Sequence, residues 1–298
     1  MSMDVTLRTK SFSFILIEMQ SYFKRQIALP QDHGAWVFIF SPLLVGVFAG
    51  GTFQLPSLYL VIAAMSAFLI RQPVTVIVKS MSGRRSAADL PAARFWVLVY
   101  GILAVAALIG LIMNGYGYVL YLAVPGAPVF AWHLWLVSRR AERKQAGVEI
   151  IATGVLALAA PAAFWVGLGS YNPNGWWLWL FTWLQSAASI VYAYLRLSQR
   201  DISPEQAVSK SRSEWWQMGR RALAYTSFNV LLSIGLAMSG LVPFFIFVSF
   251  LAQWLETLWG ITHPSVGWKP VQIGTRQLIV SILWTVLFII FWRQAWTR

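Results

Sequence analysis

Apolar residues in this chain gather into nine long runs, at 36–53, 57–78, 95–113, 118–137, 150–168, 176–195, 222–239, 242–259 and 278–292. Most approach the roughly 20 residues that a helix needs to cross the hydrocarbon core of a bilayer. The breaks between them carry turn chemistry: Gly50, Gly51 and Pro56; Gly115 and Gly117; Pro173, Asn174 and Gly175; Gly240 and Pro243. Pro125 and Pro128 predict a kink in the fourth run, because proline removes a backbone donor and crowds the preceding turn. The seventh and eighth runs are joined by a very tight turn. The pattern predicts an all-α polytopic membrane protein with nine transmembrane helices.

Two further segments read as helices that do not span. Over 12–26, the residues Phe12, Ile15, Leu16, Met19, Tyr22 and Phe23 share one helical face, with Gln20, Ser21, Lys24 and Arg25 elsewhere. That is the pattern of a helix lying in the membrane interface. After the sixth run, Ser203-Pro204-Glu205-Gln206 has capping-box spacing with proline at the first helical position. It predicts a short helix reaching about residue 218, with Trp215 and Trp216 at the membrane surface.

Composition agrees. The chain of 298 residues is 58% hydrophobic and 11% charged, against roughly half and a quarter in soluble domains. A secreted scaffold, a cytosolic enzyme and a disordered regulator are all excluded. With no cysteine, disulfides, thiolate metal sites and cysteine nucleophiles are excluded together. The first apolar run, 12–17, is short, broken by Ser13 and closed by Glu18, so no cleavable signal peptide is expected and insertion falls to the first membrane helix.

Charge orients the helices. If the nine runs cross alternately, 21 of the 23 Lys and Arg fall on one face, and only Arg293 and Arg298 on the other. The positive-inside rule then places the N-terminus in the cytoplasm and the C-terminus outside. The expected organisation is a cytoplasmic N-terminus over 1–29 and one transmembrane domain over 30–298. Its cytoplasmic connections lie at 79–94, 138–149, 196–221 and 260–277. The membrane would be a bacterial cytoplasmic or other internal one. The net charge of +13 therefore faces anionic membrane lipids and does not point to nucleic acid. Trp176, Trp177, Trp179 and Trp183, with Trp292 and Trp296, are expected to form an aromatic belt at the outer ends of the sixth and ninth helices.

Ionisable residues inside a span are costly and direct attention to function. Arg71 lies seven residues before the end of the second run, followed by Gln72 and Pro73. Glu256 is the one carboxylate placed inside a run, with Gln253 a turn earlier, and is expected to pair with Arg71, Arg196 or His263. His33, His133 and His263 all fall at the cytoplasmic level. No two share a helix four residues apart, so no metal site is expected. In Asp32-His33-Gly34-Ala35-Trp36, Asp32 can cap the first helix, Gly34 and Ala35 allow close helix approach, and Trp36 suits the interface. Phosphate-loop, nucleophile-elbow and Glu-x-x-His strings are missing, as is an Asp-rich string suited to Mg²⁺ and diphosphate.

The Asp32-His33-Gly34-Ala35-Trp36 string resembles the hallmark of the YwiC-like family of bacterial membrane proteins. Arg71-Gln72-Pro73 and the stretch from Lys269 through Ile273-Gly274-x-Arg276 are similar to that family as well. The resemblance implies a topology rather than a reaction. A more distant similarity, in span count and orientation, is to UbiA-type prenyltransferases, which implies a UbiA-like bundle. In those enzymes the connections after spans two and six carry Asp-rich motifs that bind Mg²⁺-diphosphate. The matching stretches here, 71–85 and 196–212, are basic, with Asp201 their one Asp.

Arginine forks match phosphate and carboxylate directly. The expected function is therefore non-catalytic binding or assembly, with an anionic lipid-like or small ligand held in a cytoplasm-facing cavity. Asp32, His33, Arg71, Gln72, His133, Arg196, Glu256, His263, Lys269 and Arg276 are the candidate ligand-binding residues, and no catalytic residue, metal ligand or cofactor is assigned. The alternatives are a divergent prenyl or lipid transferase using an isoprenoid ligand, and a small-molecule transporter.

Overall fold

The computed structural model describes residues 22–30, 33–139 and 145–294. The interfacial helix expected over 12–26 lies mostly outside them, and its described end holds one helical turn, Arg25–Ala28. All regular structure among the described residues is helical: α1 Val37–Gly50, α2 Leu55–Met81, α3 Leu90–Met113, α4 Ala123–Ser138, α5 Ala146–Leu156, α6 Ala159–Leu168, α7 Gly175–Arg200, α8 Pro204–Ser209, α9 Arg212–Met238, α10 Phe247–Thr262 and α11 Pro270–Gln294. With the 3₁₀ turns that extend them, eight helical segments among the described residues are long and apolar enough to cross a bilayer, and a shorter apolar helix, Gly34–Gly50, precedes them. The chain is a multi-pass integral membrane protein.

Local chemistry sets the helix ends. Gln54 and Ser57 cap α2 reciprocally, with proline in its first turn. A 3₁₀ turn, Gly117–Leu122, leads into α4. Pro125 falls in the first turn of α4, where its missing N–H is not needed, so Pro128 alone is interior. The fifth run is not continuous. Pro161 cannot donate to Ala157, and Leu158 N–H bonds the carbonyl of Val155 at 3.1 Å, dividing the run into α5 and α6. The Gly154 carbonyl, released from its helical partner, accepts from Trp179 Nε1 at 2.9 Å. The helix expected from Ser203 to about residue 218 also divides. The short α8 ends at Ser209, because Ser211 and Glu214 form a second capping box that starts α9. Trp215 and Trp216 thus belong to the first turns of a long spanning helix.

The core centres on α6, whose residues from Ala159 to Gly167 are all buried. A helix apolar on every side needs neighbours all round. On one side Gly46 and Gly50 of α1 meet Ala160, Ala163 and Gly167 so closely that no Cβ fits between the helices. The last helix returns to the first, where Ser41 Oγ and Thr285 Oγ1 lie 2.6 Å apart. Trp292 departs from its expected place in an aromatic belt. It is 1% exposed, stacked on Phe288 with ring centroids 5.8 Å apart and edge-on to Phe164. Trp176, by contrast, is exposed.

Candidate ligand site at one end of the bundle

The C-terminal ends of α7 and α10 and the first turns of α11 meet at one end of the bundle. On α7 the residues Gln185, Ser189, Tyr192, Arg196 and Gln199 are all buried. Their spacing of four, three, four and three draws one polar stripe along a single helix face. Opposite it, α10 presents Gln253, Glu256 and Thr257, also buried, and α11 supplies Arg276 and Gln277.

Glu256 is the hub. Arg276 donates to its two oxygens at 2.5 and 2.8 Å, and Tyr192 donates its hydroxyl to Oε1 at 2.6 Å. Its partner is therefore Arg276 rather than Arg71, Arg196 or His263. The reason is local: the turn between α10 and α11 folds the two helices back on each other, so Glu256 and Arg276 are each about 9 Å from it along their helix axes. The Arg276 guanidinium carbon stands 3.4 Å from the centroid of the Trp259 ring, a cation–π contact. The His263 ring is parallel to that of Trp259, with centroids 4.9 Å apart.

Arg196 is held differently. It is 1% exposed and donates to the carbonyls of Gly260 and His263 at 2.8 and 2.7 Å and to Gln199 Oε1 at 3.0 Å. Both carbonyls belong to the C-terminal end of α10, where helical acceptors have run out of backbone donors, so Arg196 caps that helix from the side. Gln199 also donates to Gly260, and Ser265 donates to the Arg196 carbonyl at 2.7 Å. The rings of Trp268 and Trp259 lie 4.9 and 5.4 Å from its guanidinium carbon. Among the described residues Arg196 has no carboxylate partner, and its Nη2 is buried without an acceptor.

Arg196, Glu256, His263 and Arg276 thus come together. Lys269 is exposed beside them, and its backbone N–H bonds Gln272 at the start of α11. Arg71 and Gln72 lie on α2, with Arg71 5.7 Å from the Phe68 ring and Gln72 donating to the carbonyl of Gln26. His133 is half-buried on α4. His33 begins the turn that leads into α1, and Asp32 lies outside the described residues. No group of three His, Cys, Asp or Glu side chains gathers among the described residues. A cavity of about 250 Å³ opens between α5, α7 and α9, on a face of α7 other than that of the polar stripe, lined among others by Tyr194, Leu195, Met218 and Arg221. Reading the sequence for charge missed Tyr192, Gln199, Ser265 and Gln277. The periodic polar stripe through an apolar helix was the signal that could have found those on α7.

The fold is that of a UbiA-like helical membrane bundle. A solved structure described as "Structural and mechanistic insights into the biosynthesis of Digeranylgeranylglyceryl phosphate synthase in membranes", a UbiA-type prenyltransferase, is similar with a TM-score of 0.54. It shares 12% sequence identity, and the alignment covers 92% of this chain and 98% of that one. Residues 29–164 match the family of YwiC-like proteins. That match ends within α6, so the polar cluster of α7, α10 and α11 lies beyond it. A search of curated proteins gave no match.

Proposed function

We propose that this protein holds the anionic head of a lipid-like or small ligand at the Arg196–Glu256–Arg276 cluster, facing the cytoplasm, in a binding or assembly role rather than in catalysis. One observation carries the reading. Of the two guanidinium groups gathered here, Arg276 takes the cluster's carboxylate, and the more deeply buried Arg196 has none among the described residues and keeps an open nitrogen. Unbalanced charge at membrane depth is costly, and a phosphate or carboxylate would supply both the missing charge and the missing acceptor. In the expected topology Arg71 and His133 stand at the same membrane level and would extend the basic rim, with Asp32, His33, Gln72 and Lys269 around it.

The test is native mass spectrometry of protein purified in mild detergent. Wild type and Arg200→Gln, a half-buried arginine already paired with Asp201, should carry a bound anionic lipid or small anion. Arg196→Gln with Arg276→Gln should lose it. A bare wild type, or identical bound species in the double variant, would overturn the reading. The likeness in fold to a prenyltransferase favours a second reading, a divergent lipid transferase. Incubation with radiolabelled prenyl diphosphates and an aromatic acceptor, with and without Mg²⁺, decides it: a labelled product would establish transfer.

A further inference from the structure

Deeper along the same helix face lies a second polar cluster with a different chemistry. Gln277 Nε2 donates to Ser189 Oγ at 2.6 Å and to Gln253 Oε1 at 2.8 Å, and Gln185 Nε2 reaches the same Gln253 oxygen at 3.4 Å. Gln185 and Gln253 are 5% and 1% exposed. Three amide atoms of the cluster are buried with no partner among the described residues: Gln185 Oε1, Gln277 Oε1 and Gln253 Nε2. Buried amide groups are nearly always hydrogen-bonded, and hydrocarbon offers them nothing. Three open atoms on three different helices mark a place made to receive a hydrogen-bonding group.

The inventory of open atoms limits that group. Two are acceptors and one is a donor. A ketone, ether or quinone only accepts and would leave both glutamine oxygens open. A second charge would bring no counter-ion with it. A hydroxyl closes two of the three, donating to one glutamine oxygen and accepting from Gln253 Nε2. Position links the cluster to the charged one: Gln277 follows Arg276 on α11, Gln253 precedes Glu256 by three residues on α10, and Ser189 precedes Arg196 by seven on α7. Along the helix axes these offsets are about 1.5, 4.5 and 10.5 Å, so the cluster lies up to about two turns nearer the middle of the bundle than the charged one.

We infer that the glutamine cluster is a second subsite, for an uncharged hydroxyl carried by the same ligand a few carbons from its anionic head. This rests on the anion site proposed above. The ligand class it defines is a long-chain phosphate or carboxylate bearing a hydroxyl between the charged group and the tail.

The experiment uses the full-length protein in detergent micelles and a series of long-chain alkyl phosphates, one plain and the others with a single hydroxyl at successive carbons from the phosphate. Binding is read by native mass spectrometry in competition. One hydroxylated member should bind at least about tenfold more tightly than the plain phosphate, since a site with buried polar groups discriminates against an analogue that leaves them unpaired. Gln253→Met and Gln185→Leu should remove that preference while still binding the plain phosphate, which also shows that they fold. Equal binding of every member by wild type overturns the hydroxyl subsite and leaves the anion site standing. Preference that survives both glutamine variants also overturns it. Failure of wild type to bind any member overturns the anion site itself.

Discussion

Arg276 grips Glu256 through two nitrogens, at 2.5 and 2.8 Å, but the two partners are unequally buried: the arginine side chain is 36% exposed and the carboxylate 8%. Losing the arginine leaves a carboxylate stranded in the bundle. Losing the carboxylate leaves a guanidinium that can turn toward water while keeping its place over Trp259. Arg276→Gln should therefore cost more than Glu256→Gln, about 2–4 kcal/mol against about 1, as stranding a buried partner costs up to about 5. Thermal unfolding in detergent checks this, and the reverse order would contradict the geometry.

Arg196 closes the end of α10 by serving the carbonyls of Gly260 and His263 together with Gln199. A lysine keeps the charge but not the planar fork. Arg196→Lys should lose about 2–3 kcal/mol, the size of one or two hydrogen bonds to a charged group. Faster hydrogen exchange should be confined to the last turn of α10 and the 263–268 loop. An exchange pattern unchanged there would show that the capping contact is not what orders this end.

Two glycines test the packing of α1 on α6. A Cβ at Gly46 would collide with the Ala160 carbonyl and with Ala163, whereas one at Gly101 in α3 would meet no atom within 4 Å. Gly46→Ala should destabilise by about 1–3 kcal/mol through overpacking. Gly101→Ala should be neutral or stabilising by up to about 1 kcal/mol, because it only raises helix propensity. Similar melting temperatures for the two variants would contradict the close approach.

Orientation is open to direct labelling, since the native chain has no cysteine to interfere. Ser170→Cys and Ser239→Cys lie in connections that carry no Lys or Arg, and Ser213→Cys follows the sixth run among the basic residues. A membrane-impermeant maleimide added to intact cells should label the first two and spare the third. Labelling of Ser213→Cys from outside would reverse the topology.

Much of the fold was legible because bilayer crossing imposes length and hydropathy on each segment, and those can be read without knowing any neighbour. What the sequence left hidden depended on partners. Pro161 announces a break only when the i−4 carbonyl is considered, and Trp179, from another helix, donates to the Gly154 carbonyl freed at that break. Trp292 reads as an interface residue by its position at the end of a run, yet it packs on Phe288 and Phe164 because the last helix returns to the centre. In the site, charge drew attention to Arg196, Glu256, His263 and Arg276, and these converge. The pairing of Glu256 with Arg276 could not be read, since any of several cations lay at a suitable depth. Gln185 and Gln277 were overlooked because a reading for charge passes over neutral amides.

The claim at the centre of this account is that an anion completes the Arg196 cluster. A cryo-electron microscopy map of the protein purified from its native membrane, at a resolution that shows guanidinium groups, examines it most directly. The account predicts non-protein density within hydrogen-bonding distance of Arg196 Nη2, continuing toward Gln253 and out along the bundle as a tail. A map in which Nη2 bonds only to protein or water, with no density bridging Arg196 and Arg276, would contradict it.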